Sequence, residues 1–271
     1  MNQQEQIAYN SSVHDKVAAK YKHIHPEIFN LTEQKRLKDS LSEAIALIPS
    51  SSNQPCALDV GCGSGNLTNH LRELNLAVTA ADVSPKFLED IPNNFPGVDT
   101  HLLNGVDLKE IPDQSFDLVV TYSVLHHIPD YLRMIEEMSR VLRPGGVMYI
   151  DHERTEAFWD KSSELIEFYE LQRFNFIPSK IKKLCTPMWY VHRWRRFKNP
   201  KYQAEGDIHV WPDDHIQWEE IIQRAKAGGV EVVAEKNYLS FDERYNTQIF
   251  KEYESKVADM KVLVLQKSYE V

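Results

Sequence analysis

The feature that most constrains this chain is a short apolar strand that runs into three alternating glycines and then into a helix. The strand covers residues 56–60, and Gly61, Gly63 and Gly65 follow it. Glycine accepts positive φ angles and has no Cβ, so such a loop can bring backbone N–H groups against a ligand at the start of a helix. The pattern predicts a binding loop for a nucleoside-containing cofactor.

The spacing of the glycines distinguishes between cofactors. A dinucleotide-binding loop has the pattern G-x-G-x-x-G, which would place its third glycine at Asn66. The pattern here is G-x-G-x-G, and no lysine follows it as a phosphate-binding P-loop would require. The spacing therefore disfavours a nicotinamide cofactor and a nucleoside triphosphate.

Strands and helices alternate along the chain after this loop. Alternation of this kind is typical of parallel strands joined by crossover helices in an α/β fold. One helix is predicted over residues 30–48, ahead of the first strand, and a later one begins at Asp213. The remaining predicted strands are 77–81, 100–103, 117–122, 147–150, 230–234 and 261–265.

Four motifs in order resemble those of class I S-adenosylmethionine (SAM) dependent methyltransferases that act on small molecules. They are the glycine loop at 61–65, S-F-D at 115–117, L-H-H at 125–127 and R-V-L-R-P-G-G at 140–146. The resemblance covers residues 56–151. It implies a Rossmann-like, doubly wound, seven-stranded sheet whose last strand is antiparallel, with SAM as the cofactor and S-adenosylhomocysteine (SAH) as its product.

The resemblance and the spacing together suggest how the cofactor is held. Asp59 matches the family position near the methionine ammonium. Asp82 ends the second strand, where a carboxylate can accept hydrogen bonds from both ribose hydroxyls, and capping of the next helix is the alternative. The family's usual aspartate near the adenine falls at Gly105, so either Asp107 or the Val106 amide would replace it. The predicted cofactor-binding residues are Tyr9, Asp59, Gly61, Cys62, Gly63, Gly65, Asn66, Asp82, Val83, Gly105, Val106, Asp107 and Ser123.

Methyl transfer depends more on aligning the acceptor with the methyl carbon and sulfur than on acid–base chemistry. A hydroxyl or acidic-carbon acceptor needs a base, and the candidates are His127, His209 and Tyr21. An amine or thiol acceptor needs less help. The resemblance places one residue of the pair His126 and His127 near the methionine end of SAM, and His127 is the predicted one.

The sequence predicts no metal site. Residues 207–215 hold two histidines and three aspartates, but their spacing does not place two ligands on one helix face. Asp213 or Asp214 is expected to cap the following helix. Asp207 and His209 are expected to be polar groups at the mouth of the pocket.

The regular alternation stops between residues 152 and 212, and about sixty residues are too many for a plain connection, which predicts a helical lid. Within it, residues 171–204 carry nine basic and no acidic side chains, while the whole chain has a net charge of -9. A basic lid favours an anionic or partly apolar small acceptor, and a solvated basic face is the alternative. The acidic balance disfavours nucleic acid. The predicted units are an N-terminal helical segment (1–55), the cofactor-binding core (56–151), the lid (152–212) and the completion of the sheet (213–271).

The chain is thus predicted to be a SAM-dependent methyltransferase with a small-molecule acceptor. A catalytically inactive SAM-binding partner subunit and a nicotinamide-dependent oxidoreductase are the alternatives. The polar N terminus and the absence of apolar runs of membrane-span length predict a cytoplasmic protein without integral membrane association. The oligomeric state stays open.

Overall fold

The structure, a computed structural model, describes residues 2–49, 54–173, 187–202, 207–211 and 214–269. Its strands are β1 (Cys56–Val60), β2 (Ala77–Asp82), β3 (Asp99–Leu102), β4 (Phe116–Tyr122), β5 (Leu142–Arg154), β6 (Val230–Tyr238) and β7 (Met260–Lys267). They form one sheet in the order β3-β2-β1-β4-β5-β7-β6. β7 is antiparallel to both of its neighbours, and the other pairs are parallel. The predicted Rossmann-like sheet with an antiparallel last strand is confirmed.

Helices cover both faces of this sheet. In the described part of the chain they are α1 (Gln3–Val17), α2 (Tyr21–Ile24), α3 (Leu31–Ile45), α4 (Asn66–Glu73), α5 (Pro85–Asn94), α6 (Tyr131–Val141), α7 (Glu156–Trp159), α8 (Ser163–Gln172), α9 (Pro187–Lys198), α10 (Trp218–Ala227) and α11 (Thr247–Tyr253). None of these helices has both the length and the apolar character that crossing a lipid bilayer requires.

Successive side chains of the central strands point into two separate apolar cores. Ala57 and Leu118 belong to the core that also contains residues of α3, α4 and α5. Leu58 and Val119 belong to the core that contains residues of α6 and α10. Strands buried on both faces read as continuous apolar runs, which is why the sequence pattern revealed them so clearly.

Local sequence signals mark where most helices begin, but the predicted start of one helix is wrong. Ser84 caps α5, since its hydroxyl accepts a hydrogen bond from the backbone N–H of Phe87 at 3.3 Å. The helix predicted from Asp213 begins instead at Trp218. The carboxylate of Asp214 is not a cap, because it lies 2.5 Å from Nδ1 of His209. Asp213 lies outside the described residues.

The beginning of the predicted lid belongs to the main body of the protein. β5 continues past residue 151, and Glu153 and Arg154 pair with Lys261 and Met260 of β7. Farther on, Phe168 of α8 is fully buried against rings of the C-terminal region, with Tyr245 at 5.1 Å and Tyr253 at 5.7 Å. Residues 152–172 therefore complete the sheet and its cover.

The basic character of the insert is carried in the described part by α9 and the turn that follows it. Arg195 donates a hydrogen bond to the Tyr202 hydroxyl at 2.6 Å. Arg196 is exposed. The predicted basic residues Lys180, Lys182 and Lys183 lie outside the described residues.

A buried ion cluster attaches α3 to the end of β5. Arg36 donates to Glu33 at 2.8 Å and to Asp151 at 3.1 Å, and its guanidinium lies 3.8 Å from the ring centre of Tyr238. Asp151 also accepts hydrogen bonds from the hydroxyls of Tyr149 and Tyr238. Helix α3 is thereby fixed at the carboxyl end of β5, the same end of the sheet as the glycine loop.

Replacing Arg36 with alanine should lower the free energy of unfolding by about 3–5 kcal/mol, because Asp151 and Glu33 would remain buried without their cation. Denaturant unfolding followed by circular dichroism measures the change. Lys35→Ala is the matched control on the same helix, since Lys35 pairs with Asp39 in an exposed position, and a change within about 0.5 kcal/mol is expected. Equal stability of both variants would contradict a structural role for the cluster.

Candidate active site

A cleft opens at the carboxyl ends of β1, β2 and β4. The strand order reverses between β1 and β4, and ligands of open α/β sheets bind at such a switch point. Gly61 and Gly63 of the glycine loop, Asp82 of β2, Gly105 and Ser123 line this cleft. Ser123 has a φ of +58°, an uncommon conformation for a residue with a side chain.

The glycine loop has the backbone conformation that the sequence pattern requires. Gly61 and Gly65 have φ angles of +75° and +84°. A Cβ on Gly61 would lie 2.6 Å from the side chain of Val124, and a Cβ on Gly65 would lie 2.3 Å from the ring of Phe95. Side chains are therefore excluded at both positions. The loop turns tightly enough to leave its backbone facing the cleft.

Two buried carboxylates sit beside this loop. Asp59 accepts a hydrogen bond from the Thr68 hydroxyl at 2.6 Å, and burial raises its pKa to about 7. Asp82 accepts hydrogen bonds from the backbone N–H groups of Gly63 at 2.9 Å and Ser84 at 2.8 Å. Burial also raises the pKa of Asp82. Asp82 thus connects the loop after β1 to the loop after β2.

The cleft also presents buried polar groups that the described part of the protein leaves unsatisfied. The Ser64 hydroxyl and the Asn66 side-chain amide nitrogen have no hydrogen-bond partner there, although Asn66 Oδ1 accepts from Gln34. A buried polar group without a partner costs free energy, so such groups point to a ligand or ordered water. Donors at the loop and carboxylates beside it fit a nucleoside with a charged amino-acid tail.

Helix α1 lies over the cleft and contributes residues that the sequence did not reveal. Ile7, Asn10 and His14 line the cleft. The Asn10 side chain both donates to and accepts from the backbone of Ile208, at 2.7 and 2.9 Å. The Ser11 hydroxyl donates to the carbonyl of Val83. No local motif marks these positions, because the contacts join residues 72 and 198 positions apart.

Nine of the predicted cofactor-binding residues line the cleft: Asp59, Gly61, Cys62, Gly63, Asn66, Asp82, Val83, Gly105 and Ser123. Gly65 lies behind it, against Phe95. The other three predicted residues, Tyr9, Val106 and Asp107, lie elsewhere.

Their contacts explain why these three residues do not reach the cleft. The Tyr9 hydroxyl lies 3.4 Å from that of Tyr202, because Tyr9 is on a different side of α1 from Asn10. The Val106 N–H donates to Asn104. Asp107 accepts hydrogen bonds from Asn104 and Arg133, so its carboxylate braces a surface turn.

A second cavity, of about 620 Å³, adjoins the cleft. Tyr21, Ile28, Ser123 and His127 line both spaces. The predicted candidates Tyr21 and His127 therefore lie at the junction, whereas His209 lines the second cavity but not the cleft. The charged residues that line the second cavity are Glu27, Glu153, Arg154, Asp214, Asp242, Arg244 and Asp259.

Three histidines surround Asp207 at this junction, and His126 packs against His127. Asp207 Oδ2 lies 3.0 Å from His209 Nε2, 3.1 Å from His127 Nδ1 and 3.7 Å from His14 Nε2. The rings of His126 and His127 are 4.2 Å apart. The fold thus brings the predicted His127, His209 and Asp207 together. It adds His14, which the sequence analysis missed.

Burial and neighbouring groups together shift the pKa values of His127 and His209 in opposite directions. Burial lowers the pKa of His127 well below its usual value, and the neighbouring His126 and His209 lower it further. Burial opposes the charge on His209, but Asp207 and Asp214 outweigh it and raise its pKa to about 9. His127 is therefore the neutral imidazole that could accept a proton. His209 is protonated near neutral pH and does not fit the predicted role of base.

Glu153 is a positioning residue that sequence reasoning missed. Its carboxylate accepts hydrogen bonds from the backbone N–H groups of Val124 and Leu125, and its Oε2 lies 2.7 Å from Nδ1 of His126. Glu153 therefore orients the turn that carries both histidines. Its position near the end of β5 follows from the extension of that strand, which the sequence pattern did not predict.

Comparison with known proteins supports the assignment of this cleft. Residues 58–150 match the family model described as "Methyltransferase domain". The ubiquinone biosynthesis O-methyltransferase of Xanthomonas campestris is 34% identical over 98 residues, which cover 34% of this chain and 41% of that protein. An uncharacterized methyltransferase of Mycobacterium tuberculosis is 32% identical over 96 residues, which cover 35% and 49%. The matches span less than half of either relative.

Solved structures extend the likeness in fold over most of the chain. The 1,6-didemethyltoxoflavin-N1-methyltransferase of Burkholderia thailandensis, solved with its namesake compound and SAH, has a TM-score of 0.58 at 14% identity and covers 99% of this chain and 91% of that one. A Haloferax volcanii methyltransferase in complex with the Trm112 activator has a TM-score of 0.56 at 16% identity, covering 94% and 97%. The glycine loop, the sheet and these matches identify the chain as one that carries a class I SAM-dependent methyltransferase domain, whose cofactor is SAM.

Proposed function

We propose that this protein transfers a methyl group from SAM to a small polar molecule bound in the second cavity. The observation that carries the proposal is the junction between the two spaces, which Tyr21, Ser123 and His127 share. Methyl transfer is a displacement in which the acceptor, methyl carbon and sulfur must be in line. A cofactor cleft that adjoins a second cavity would allow the acceptor to be aligned with the methyl group.

The residues that would hold SAM follow from the cleft. The Asp82 carboxylate would accept hydrogen bonds from the ribose hydroxyls, and Asp59 would face the methionine ammonium. The loop backbone around Gly61 and Gly63 would contact the tail of the cofactor. Gly105 would leave room for the adenine, since a Cβ there would come within 2.6 Å of Ile7.

The lining of the second cavity favours a polar acceptor over an anion. It contains five carboxylates against two arginines, and both arginines are already paired. Arg154 contacts Asp259 at 3.1 Å, and Arg244 binds Asp242. The insert residues Arg195 and Arg196 line neither space. A hydroxyl-bearing or amine-bearing acceptor fits this lining better than the anion that the basic insert suggested.

His127 would act as the base if the acceptor is a hydroxyl. The acceptor oxygen would form the bond to the methyl carbon while the carbon–sulfur bond breaks, and the neutral imidazole would take the proton. Because the low pKa of His127 makes it a weak base, this role suits an acidic hydroxyl. Tyr21, packed against His25 and Phe87 at 4.4 and 5.6 Å, would form part of the wall.

The direct test has two stages. Calorimetric titration with SAM, SAH and NADH establishes the cofactor class, and saturable binding of SAH without binding of NADH is expected. SAM with an isotopically labelled methyl group is then incubated with the protein and a small-molecule extract, and labelled products are sought by mass spectrometry. NADH binding alone would favour an oxidoreductase. SAH binding without label transfer would contradict the catalytic part of the proposal and favour a partner subunit.

Asp82→Asn should weaken SAM binding by roughly 10–100-fold, because it removes a charged acceptor from the predicted ribose site and from the loop N–H groups. Asp107→Asn, in the loop that follows β3, is the matched control. The Asp107 carboxylate faces Arg133 rather than the cleft. The SAM affinity of this variant should therefore stay within about twofold of that of the wild type. Equal losses in calorimetry would contradict the assignment of Asp82.

The affinity for SAM should fall by up to about tenfold per pH unit as the pH drops below 7. The reason is that burial raises the pKa of Asp59 to about 7, so the carboxylate that faces the cationic ammonium becomes neutral as the pH falls. Titrations between pH 5.5 and about 8.5 follow the effect across this range. Asp59→Asn should bind weakly and without this dependence. A wild-type profile parallel to that of the variant would rule out Asp59 as the titrating group.

A further inference from the structure

The histidine cluster at the junction contains more ligating groups than methyl transfer requires. His126, His127 and His209 each offer a nitrogen atom, and the three atoms lie within 4.8 Å of one another. A second set, formed by His14, His127 and Asp207, satisfies the same limit. We propose that His126, His127 and His209 bind a divalent transition-metal ion of the zinc type, with Asp207 as the adjoining carboxylate.

The carboxylates around the three imidazoles are arranged as metal sites require. Metal-binding histidines usually hold their other ring nitrogen against a carboxylate, which fixes the ring and strengthens the ligand. Nδ1 of His126 lies 2.7 Å from Glu153, and Nδ1 of His209 lies 2.5 Å from Asp214. Nδ1 of His127 lies 3.1 Å from Asp207. Nε2 of His209 lies 3.0 Å from Asp207, so an ion bound by this nitrogen would also meet the adjoining carboxylate.

Asp207 supplies an independent observation that points to a bound cation. Its side chain is 1% exposed, and in the described part of the protein its Oδ1 atom has no hydrogen-bond partner. Oδ2 has imidazole nitrogens at 3.0 and 3.1 Å. A buried carboxylate requires a positive charge nearby. In the structure His209 lies in that position, and a bound ion would supply the charge in its place while binding the neutral imidazole.

The ligand type selects the class of metal. Imidazoles suit zinc, iron, copper and nickel, whereas magnesium and calcium prefer oxygen ligands. Three histidine ligands with one open position form the arrangement of many catalytic zinc sites. The sequence did not predict this site because His209 lies more than eighty residues after His126 and His127, with no chelating repeat near any of them.

The position of the site suggests a role, which rests on the function proposed above. All three histidines line the second cavity, and His127 also borders the cofactor cleft. An acceptor hydroxyl bound to the ion would lose its proton more readily. Its oxygen would then form the bond to the methyl carbon as the carbon–sulfur bond of SAM breaks, and SAH would leave. The ion would replace His127 as the group that promotes loss of the acceptor proton, which would pass to solvent. The acceptor class is therefore a small hydroxyl compound that can bind a metal.

The experiment uses the full chain without a histidine tag, stripped with a chelator and kept free of SAM. Zn²⁺ is titrated by calorimetry, and Co²⁺ is added separately to follow its visible absorption, which reports the coordination geometry of the bound ion. We expect one equivalent of each ion to bind, and Zn²⁺ to raise the melting temperature by mass action. Asp214→Asn, which releases Nδ1 of His209, should weaken Zn²⁺ binding by roughly 10–100-fold.

His209→Gln should abolish the Co²⁺ absorption, whereas His101→Ala on β3, outside the cluster, should leave it unchanged. SAH affinity of each variant confirms that it is folded, because His209 does not line the cofactor cleft. Absence of saturable binding of both ions, or equal binding by wild type and His209→Gln, would overturn the proposal. Metal binding without SAH binding would leave the metal site standing and contradict the proposed function. SAH binding without metal binding would contradict the metal site and leave the proposed function standing.

Discussion

The hydrogen bonds from two backbone N–H groups to Asp82 are the interaction on which the rest of the site depends. They tie the glycine loop after β1 to the turn after β2, at the point where the strand order reverses. With both loops fixed, the cleft has a rigid floor. Helix α1 then closes it from above through the paired hydrogen bonds between Asn10 and Ile208. The space for a cofactor is therefore enclosed by parts that are distant in sequence.

Interactions of charged residues position several walls of the second cavity. The carboxylate of Glu153 orients the turn that bears His126 and His127. Asp259 lies against Arg154 and also accepts hydrogen bonds from Ser240. Because each arginine of the lining already has a carboxylate partner, the cavity is polar without being strongly cationic. This balance of charge is the reason that we propose a polar acceptor rather than an anion.

The parts of the fold that the sequence predicted well are those encoded locally. Examples are the strands that are apolar on both faces, the three glycines of the loop, and Asp82 at the end of β2. Each of these features depends on residues only a few positions away. Tyr9 contacts Tyr202 rather than lining the cleft, because the side of a helix that faces a cleft depends on how the whole helix packs. Asp107 binds Arg133 of α6, a partner that the local pattern does not reveal. The histidine cluster could not be predicted from local patterns, because it joins positions 14, 126–127 and 207–209.

A crystal structure of the protein soaked with SAH tests the central claim most directly. The account predicts SAH in the cleft, with its ribose hydroxyls on Asp82, its amino group toward Asp59, and its sulfur at the junction beside Ser123 and His127. SAH bound elsewhere, or an empty cleft under conditions where calorimetry shows saturation, would contradict it.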